Sequence, residues 1–398
     1  MFWEKKLESW IDEMRQQAAV PLRLQLWNGQ EFALGEAPQV TVRVRDASAL
    51  TYLVKPSLAT LGKAYVEGLL DVDGPLGAIV SVANGLAAQG ARGDGRARLS
   101  MPFRHTRKQD AEAISYHYDV SNAFYQAWLD ENMVYSCAYF ENGDEDLATA
   151  QRKKIDHILT KVQLQPGETL LDIGCGWGAL VLRAAQQFGA RCVGITLSKN
   201  QYELATERVR QAGLQDRVEI RLQDYRDVSG TFDRITSVGM FEHVGLKNLP
   251  LYFGKIRSLL ASHGLAMNHG ITTTDVGNGD APYGGGEFIG TYVFPHGELP
   301  HVGQVLTAMQ EGGLEPLDVE NLRRHYARTC AIWAENFEAH AGQLREMVDD
   351  KRFRIWRVYL AGCAWAFMHD WVSLNQVLCT RAGRPASELP VSRRYMYA

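Results

Sequence analysis

The sequence predicts an α/β fold in which a doubly wound seven-stranded sheet with a helical lid follows a small N-terminal α+β domain. Short alternating strands occupy roughly the first 90 residues. From about residue 111, apolar strands alternate with helical stretches, which is the pattern of a parallel sheet. One of these strands runs into the glycine-rich turn Gly174–Gly178, which opens a helix. Such a turn brings backbone N–H groups against a ligand and predicts a binding site there.

The 398 residues are enough for about two domains and a sizeable core. We predict a small α+β domain over residues 1–100, a basic linker over 101–110 and a larger domain over 111–398. A composition with 46% hydrophobic and 22% charged residues excludes disordered, coiled-coil and collagen-like chains. The net charge of −4 does not indicate a general affinity for nucleic acid.

In the first domain the alternation of apolar and polar residues predicts strands at Leu22–Leu26 and Val40–Val44. Turns are expected at Asn28–Gly29 and Asp73–Gly74, and a helical stretch is expected over about residues 48–68. This mixture is typical of a small α+β domain.

The larger domain contains six candidate strands, near residues 168–173, 191–196, 218–223, 233–239, 264–271 and 316–322. The closing segment Leu389–Tyr397 is the candidate for a seventh, antiparallel strand. A helix is expected near 248–261, with Gly264 in the usual stop position. The Gly/Pro-rich loop 274–300 and the aromatic-rich helical region 328–380 exceed a simple sheet and predict a lid, whose aromatic side chains form either a core stripe or a substrate channel.

Basic residues stand beside aromatic ones in a way that suits an anionic membrane surface. They form clusters over Arg92–Lys108, over Lys351–Arg357 and at Arg393–Arg394, although each cluster also fits a solvated helix face.

The N-terminus has no apolar signal region, and the uncharged stretch Gly74–Ala91 is too polar to span a bilayer. The six cysteines have no metal-ligand spacing, so we expect reduced thiols, no metal and a cytoplasmic protein.

The turn after the strand at Leu170 does not match a dinucleotide site. A NAD-binding fingerprint requires Gly-x-Gly-x-x-Gly and an acid about 20 residues later. Here the glycines are Gly174, Gly176 and Gly178, and the next strand ends in Gly194–Ser198 without an acid. The turn therefore favours a nucleoside site of the S-adenosylmethionine (SAM) type over a NAD-dependent oxidoreductase, while a tight turn without a ligand stays open.

Five segments in order resemble the cyclopropane-fatty-acyl-phospholipid synthases, including the mycolic acid cyclopropane synthases. The matching segments are His117–Asn122, Tyr135–Tyr139, Asp172–Gly178, Gly194–Gln201 and Phe241–Gly245. These SAM-dependent enzymes add a methylene bridge across a cis double bond of an acyl chain. The resemblance implies a class I SAM-methyltransferase-like sheet in the larger domain, and it covers the first hundred residues in layout only.

The resemblance also implies the site residues. A bicarbonate ion, acting as the base, is expected against Cys137, Glu242, His269, the backbone of Ile271, and Tyr326. The cofactor is expected against Tyr135, Ser136, Gly174, Gly176, Thr196, Leu197, Gln201, Asp224 and Tyr225, whereas His117 and His243 are expected to be structural. The implied substrate is an unsaturated phospholipid reached by peripheral contact with the inner face of the membrane, and the implied assembly is a homodimer.

The chemistry is consistent with these residue types. Methyl transfer from a sulfonium to an alkene leaves a carbocation, and ring closure needs loss of a proton from the new methyl group. A buried anion near that proton needs hydrogen-bond donors, and a carboxylate can accept the ion's own O–H. Methylation without ring closure, giving a methyl- or methylene-branched chain, and a non-catalytic lipid-binding protein remain alternatives. The segments Gly284–Gly290 and His296–Leu299 depart from the pattern of commoner synthases, which leaves the choice of substrate open.

Overall fold

A computed structural model describes residues 11–12, 21–90, 120–277, 281–294 and 297–397. The chain divides into two compact units. The first comprises Met1–Pro102, Asp280–Pro295 and Ala341–Trp365, and the second comprises Phe103–Gly279, His296–His340 and Ala366–Ala398. Two segments that the sequence placed in the larger domain, 280–295 and 341–365, thus belong to the same unit as the N-terminal residues. The predicted linker 101–110 lies outside the described residues.

The first unit contains a four-stranded sheet in the order β2-β1-β3-β4. The strands are β1 (Leu22–Gln25), β2 (Glu31–Ala33), β3 (Val40–Val44) and β4 (Leu70–Asp73). Its helices are Leu50–Val54, Leu58–Val66, Leu76–Gly90, Gly285–Tyr292 and Ala341–Met347, together with most of Asp350–Met368. The predicted helix over 48–68 is interrupted at Pro56, because proline removes a backbone donor, and helix Leu76–Gly90 was not predicted.

The second unit contains a seven-stranded sheet in the order β10-β11-β9-β8-β5-β6-β7. Its strands are β5 (Thr169–Ile173), β6 (Arg191–Thr196), β7 (Val218–Leu222), β8 (Phe232–Val238), β9 (Leu260–Thr273), β10 (Leu314–Asn321) and β11 (Val372–Arg381). Strands β5 to β9 pair in parallel, and β11 is antiparallel to both of its neighbours. The predicted doubly wound sheet is confirmed.

The seventh strand is not the one that the sequence suggested. Residues Leu389–Tyr397 form no strand, and Arg393–Tyr397 forms a 3-10 turn. The strand is Val372–Arg381, which the sequence placed at the end of a helical region. Its polar Asn375 and Gln376 interrupt the apolar pattern, yet both are buried, because side chains of β9 supply their hydrogen-bond partners.

The helices of the second unit cover both faces of the sheet. They are Asn122–Gln126, Leu147–Lys161, Ala179–Gln187, Lys199–Gln211, Leu249–Leu259, Val302–Glu311 and Arg323–Ala339. One apolar core lies under Leu249–Leu259 and a second lies under Leu147–Lys161. Gly264 lies inside β9 instead of ending the preceding helix, because β9 begins at Leu260.

The direction of the chain positions the site. From β5 the sheet grows through β6 to β7, and β8 then pairs on the other side of β5. Ligands of open α/β sheets bind in the crevice beyond the carboxyl ends of the strands at such a reversal. Within the described part of the chain, none of the helices has the length and apolar character needed to cross a bilayer.

Candidate active site

The glycine-rich turn lies at this reversal. Gly174 follows β5 with φ +83°, a conformation that residues with a Cβ rarely adopt. The backbone N–H groups of Gly174 and Cys175 donate to the carbonyl of Ile195 on β6, at 3.0 and 2.9 Å. A Cβ at position 174 would lie 3.2 Å from Met240 in the loop after β8. The turn is therefore held between the two neighbouring strands, and helix Ala179–Gln187 begins directly after it.

A cleft with about 990 Å³ of empty volume, partly open to solvent, lies against this turn. Eight of the nine residues expected at the cofactor line it: Tyr135, Ser136, Gly174, Gly176, Thr196, Leu197, Gln201 and Tyr225. Asp224 does not line it, because its carboxylate binds the guanidinium of Arg226, with Oδ2 2.6 Å from Nη2. Asp224 thus shapes the turn after β7 instead of facing the cleft.

Further side chains line the cleft that were not expected there, including Lys154, Asp172, Trp177, Gln223, Met240 and His243. Asp172 ends the apolar run before the turn, so its position was visible in the sequence. Lys154 gave no such signal, because it lies on a helix before the sheet and reaches the cleft only in the folded chain. His243, expected to be structural, also borders the cleft.

Buried charge characterises the floor of the cleft. Burial raises the pKa of Asp172 to about 6 despite a hydrogen bond of 2.7 Å from Thr236. Burial also lowers the pKa of Lys154 to about 8, and its Nζ donates to Ser136 Oγ at 2.7 Å. The cleft thus places beside the turn an acid and an amine whose pKa values lie near neutral pH, and these could hold a zwitterionic cofactor tail.

The end of β6 carries neutral hydrogen-bonding groups instead of an acid. Thr196 Oγ1 donates to Gln201 Oε1 at 2.8 Å, and the N–H of Ser198 donates to Thr196 Oγ1 at 3.1 Å. Ser198 also caps helix Lys199–Gln211 through Gln201 N. At this position, where the sequence has no acid to bind a ribose, the structure therefore has a hydrogen-bonded hydroxyl and amide.

A second group of side chains lies at the carboxyl ends of β8 and β9. Glu242 lies in the 3-10 turn Phe241–His243 after β8, and its Oε1 accepts the N–H of Ile271 at 2.7 Å. His269 and Ile271 are two residues apart on β9 and therefore lie on the same face. Three of the five residues expected at the anion are thus adjacent.

Cys137 and Tyr326 reach the same edge through Leu322. Cys137 Sγ lies 3.8 Å from the carbonyl oxygen of Leu322, which also accepts the N–H of Tyr326 at 3.0 Å. Leu322 N–H donates to Leu374 on β11, and Leu374 pairs in register with Ile271. Cys137, Glu242, His269 and Tyr326 are buried, and Ile271 is partly buried. Hydrogen bonds of the backbone and of the Cys137 thiol connect Cys137, Tyr326 and Ile271.

Two polar atoms of this second group are buried and have no hydrogen-bond partner among the described residues: Glu242 Oε2 and His269 Nε2. Burial raises the pKa of Glu242 to about 7. Burial, with the charges of Lys154 and Lys161, holds the pKa of His269 well below its usual value. A buried polar atom without a partner is costly, and its presence in a folded protein indicates a place for a ligand.

An aromatic wall connects the cleft with this second group. Tyr135, which lines the cleft, packs on Trp333 with ring centroids 5.2 Å apart. Trp333 in turn meets Tyr326 edge-on at 5.9 Å, and Tyr326 packs on Phe367 at 4.4 Å. Trp333 and Phe367 belong to the predicted aromatic-rich region 328–380, whereas Tyr135 and Tyr326 lie outside it.

The fold and the cleft define a class I SAM-dependent methyltransferase. The family model described as mycolic acid cyclopropane synthetase matches residues 105–377, which is more than half of the sequence. The chain belongs to this family. A second family model, described as a domain of unknown function, matches residues 10–90.

Individual relatives agree with this assignment. A "Probable fatty acid methyltransferase" of Pseudomonas putida is 47% identical over 381 residues, covering 95% of this chain and 96% of the relative. "Cyclopropane mycolic acid synthase 1" of Mycobacterium tuberculosis is 34% identical and covers 67% of this chain and 96% of its own length. The solved structure of mycolic acid cyclopropane synthase CmaA1 complexed with SAH and CTAB is similar with a TM-score of 0.65 at 34% identity, over 68% of this chain and 98% of that one.

Proposed function

We propose that this protein is a cyclopropane-fatty-acyl-phospholipid synthase. It would transfer a methylene group from SAM to the cis double bond of an unsaturated phospholipid acyl chain, with bicarbonate as the base. The observation that carries the proposal is a pair of buried atoms, Glu242 Oε2 and His269 Nε2, that have no hydrogen-bond partner in the described part of the chain and lie next to a cofactor cleft. The lipid would be reached by peripheral contact with the inner face of the membrane.

Bicarbonate fits the donors and acceptors of this pair. Glu242 Oε2 can accept the single O–H of the ion, and His269 Nε2 can donate to one of its oxygens when it carries the imidazole proton. Ile271 N–H is engaged by Glu242 Oε1, so this amide orients the carboxylate. Carboxylate and imidazole together would favour a hydrogen-bearing anion over one that only accepts hydrogen bonds, because such an anion would repel Glu242.

SAM supplies the methyl group, and bicarbonate, when bound, supplies the base that removes a proton from that methyl group so that the ring can close. An anion about 4 Å from a developing carbocation attracts it by about 4 kcal/mol at an effective dielectric constant near 20. The faces of Tyr326 and Trp333 would add cation–π stabilisation of about 1–2 kcal/mol.

A second candidate is methylation without ring closure. Relatives described as a "Probable fatty acid methyltransferase" and as "Tuberculostearic acid methyltransferase UfaA1", the latter 38% identical over 290 residues, favour it. Both products need the same methyl transfer and the same loss of a proton. In ring closure the new methyl carbon loses a proton and bonds to the neighbouring cationic carbon. In the methylene-branched product a hydride first moves to that cationic carbon, and the methyl carbon then loses its proton to form the double bond.

Lipid analysis separates the two candidates. The protein is expressed in a host that makes unsaturated phospholipids but no cyclopropane lipids, with isotope-labelled methionine. Mass spectrometry before and after mild hydrogenation then follows the labelled acyl chains. We expect label in chains that resist hydrogenation because they carry a ring. Labelled chains that take up hydrogen would support the branched, unsaturated product instead, and absence of label would contradict both candidates.

Substitutions test the anion site itself. We expect Cys137→Ser, Glu242→Ala and Tyr326→Phe to lower the rate about 10- to 100-fold, the loss expected for one hydrogen bond to a charged group. The affinity of the three variants for SAM, measured by calorimetry, should be unchanged. In a separate measurement, the rate of the unsubstituted enzyme should fall in bicarbonate-depleted buffer. Cys379→Ser is the matched control, because Cys379 is equally buried but bonds Ala266 within the sheet. Full activity of all three variants would remove the anion assignment.

A further inference from the structure

Gln376 on β11 is a buried glutamine that contacts the imidazole of the second group. Its side chain is 0% exposed, and it lies opposite His269 in the antiparallel pairing of β11 with β9. Its Nε2 lies 3.2 Å from His269 Nδ1. Since an amide nitrogen only donates, His269 Nδ1 must accept in this contact, provided that the amide has this orientation.

Lys161 determines the orientation of that amide. Its Nζ donates to Gln376 Oε1 at 3.2 Å, and an ammonium group has no acceptor that an amide nitrogen could use. The amide oxygen must therefore point at Lys161 and the amide nitrogen at His269. The Lys161 contact thus fixes the orientation of Gln376, and the accepting role of His269 Nδ1 follows from it.

Lys161 is itself held in place by carboxylates. It is 0% exposed, with Nζ 2.5 Å from Glu320 Oε2 and 3.4 Å from Asp318 Oδ2. Glu320 also contacts His157 Nε2 at 2.8 Å. Burial acts to raise the pKa of Glu320, but the hydrogen bond with His157 and the charge of Lys161 outweigh it and lower that pKa to about 2. Glu320 therefore stays ionised and holds the Lys161 amine in place.

We propose that Gln376, oriented by Lys161 and Glu320, is a positioning residue that holds His269 in the tautomer with its proton on Nε2. His269 then presents a donor, and not a lone pair, at the buried atom that has no partner among the described residues. The imidazole is an anion-binding group only in this tautomer, because a lone pair at Nε2 would repel an oxyanion. The consequence for turnover rests on the proposed function, whereas the tautomer itself does not.

The tautomer is measured directly by nitrogen-15 NMR of histidine-labelled protein, with the His269 signal assigned from its loss in His269→Asn. We expect the Nε2–H form in the unsubstituted protein. Gln376→Glu replaces the donor by an acceptor, so His269 should switch to the Nδ1–H form. Gln376→Met removes the contact and should leave a mixture of the two tautomers.

Activity and bicarbonate dependence follow the tautomer. We expect Gln376→Glu to lower kcat at least tenfold and to raise the bicarbonate concentration for half-activation, with KM for SAM unchanged, as is typical when a partner that orients a binding histidine is lost. Asn375→Asp is the matched control, because it adds the same charge to the adjacent position of β11, where the side chain bonds Thr272. Its His269 tautomer and rate should be those of the unsubstituted enzyme.

The outcomes separate this inference from the proposed function. An Nδ1–H tautomer in the unsubstituted protein, or an unchanged tautomer in both Gln376 variants, would overturn the inference even if the enzyme depends on bicarbonate. Equal effects of Asn375→Asp would also overturn it. If the His269 tautomer switches as expected but the rate is independent of bicarbonate, the positioning role of Gln376 is supported and the anion assignment is contradicted.

Discussion

Glu242 lies in an environment that is unfavourable for an acidic side chain. It is buried, one oxygen accepts a single backbone N–H, and the other has no partner among the described residues. Burial raises its pKa from 4.5 to about 7. The folded protein therefore stores an unfavourable charge at this position above neutral pH, which is typical of a functional site.

Replacing this carboxyl should change how stability depends on pH. Because the pKa of Glu242 is higher in the folded chain, the folded state binds more protons than the unfolded state between about pH 4.5 and 7, so this group lowers stability as pH rises. We expect the free energy of unfolding of Glu242→Gln, relative to the unsubstituted protein, to rise by about 2–3 kcal/mol from pH 5 to pH 8. Urea unfolding of the ligand-free proteins measures it, and a difference independent of pH would contradict the assigned pKa.

At the scale of elements, a glycine on β9 allows this strand and the turn after β8 to pack closely. Gly270 lies between His269 and Ile271, and a Cβ there would be 1.8 Å from Cε1 of Phe241. Phe241 is 2% exposed and directly precedes Glu242. The absence of a side chain at position 270 thus lets the turn approach the strand and places the carboxylate at the Ile271 amide.

Gly270→Ala should therefore damage both stability and catalysis. The displaced ring of Phe241 would shift the turn that carries Glu242, and overpacking of this kind costs about 1–3 kcal/mol. We expect a lower urea midpoint and a lower rate, with SAM affinity less affected. Gly254→Ala in helix Leu249–Leu259 is the control, since the nearest atom that its new Cβ would meet, the carbonyl oxygen of Gly312, is 4.0 Å away and leaves room for it. Stability of Gly270→Ala equal to that of the control would show that the turn can move freely.

The segment Val372–Arg381 illustrates why one element was predicted wrongly. Periodicity identifies strands by alternation of apolar and polar residues, and this strand is buried along nearly its whole length. Its buried Asn375 and Gln376 look like surface residues until their partners on β9 are known. Glycines and motifs, by contrast, depend on local geometry, so the turn after β5 was predicted correctly from its sequence.

For the whole molecule, ion pairs change the interpretation of the basic clusters. Lys351 pairs with Glu67 at 2.8 Å, and Arg354 pairs with Asp71 and Asp350 at 2.7 and 2.6 Å, all within the first unit. Arg393 pairs with Asp318 in the second unit. These charges hold the protein's own segments together. The cluster Arg92–Lys108 lies outside the described residues, and contact of the protein with a membrane remains a proposal.

Arg354 is expected to be a structural residue of the first unit. It is 7% exposed and also donates to the carbonyls of Tyr65 and Leu70. Arg354→Met would leave those carbonyls and Asp71 without their cation, which costs about 3 kcal/mol. We expect a lower urea midpoint but unchanged SAM affinity by calorimetry, because residues of the second unit line the cofactor cleft. Arg352→Met, at an exposed position, is the control, and weakened SAM binding in Arg354→Met alone would contradict this division of roles.

The sequence by itself determined the class of fold and the glycine-rich turn after β5, because each depends on a local pattern. The five residues expected at the anion were implied by the family resemblance, and their role stays a prediction. Only the tertiary structure decided that Asp224 turns away to Arg226, that β11 lies beside β9, and that Gln376 and Lys161 stand behind His269. These contacts join residues far apart in the chain. Hydrogen bonds between buried polar groups are specified by packing, which no single segment of the sequence contains.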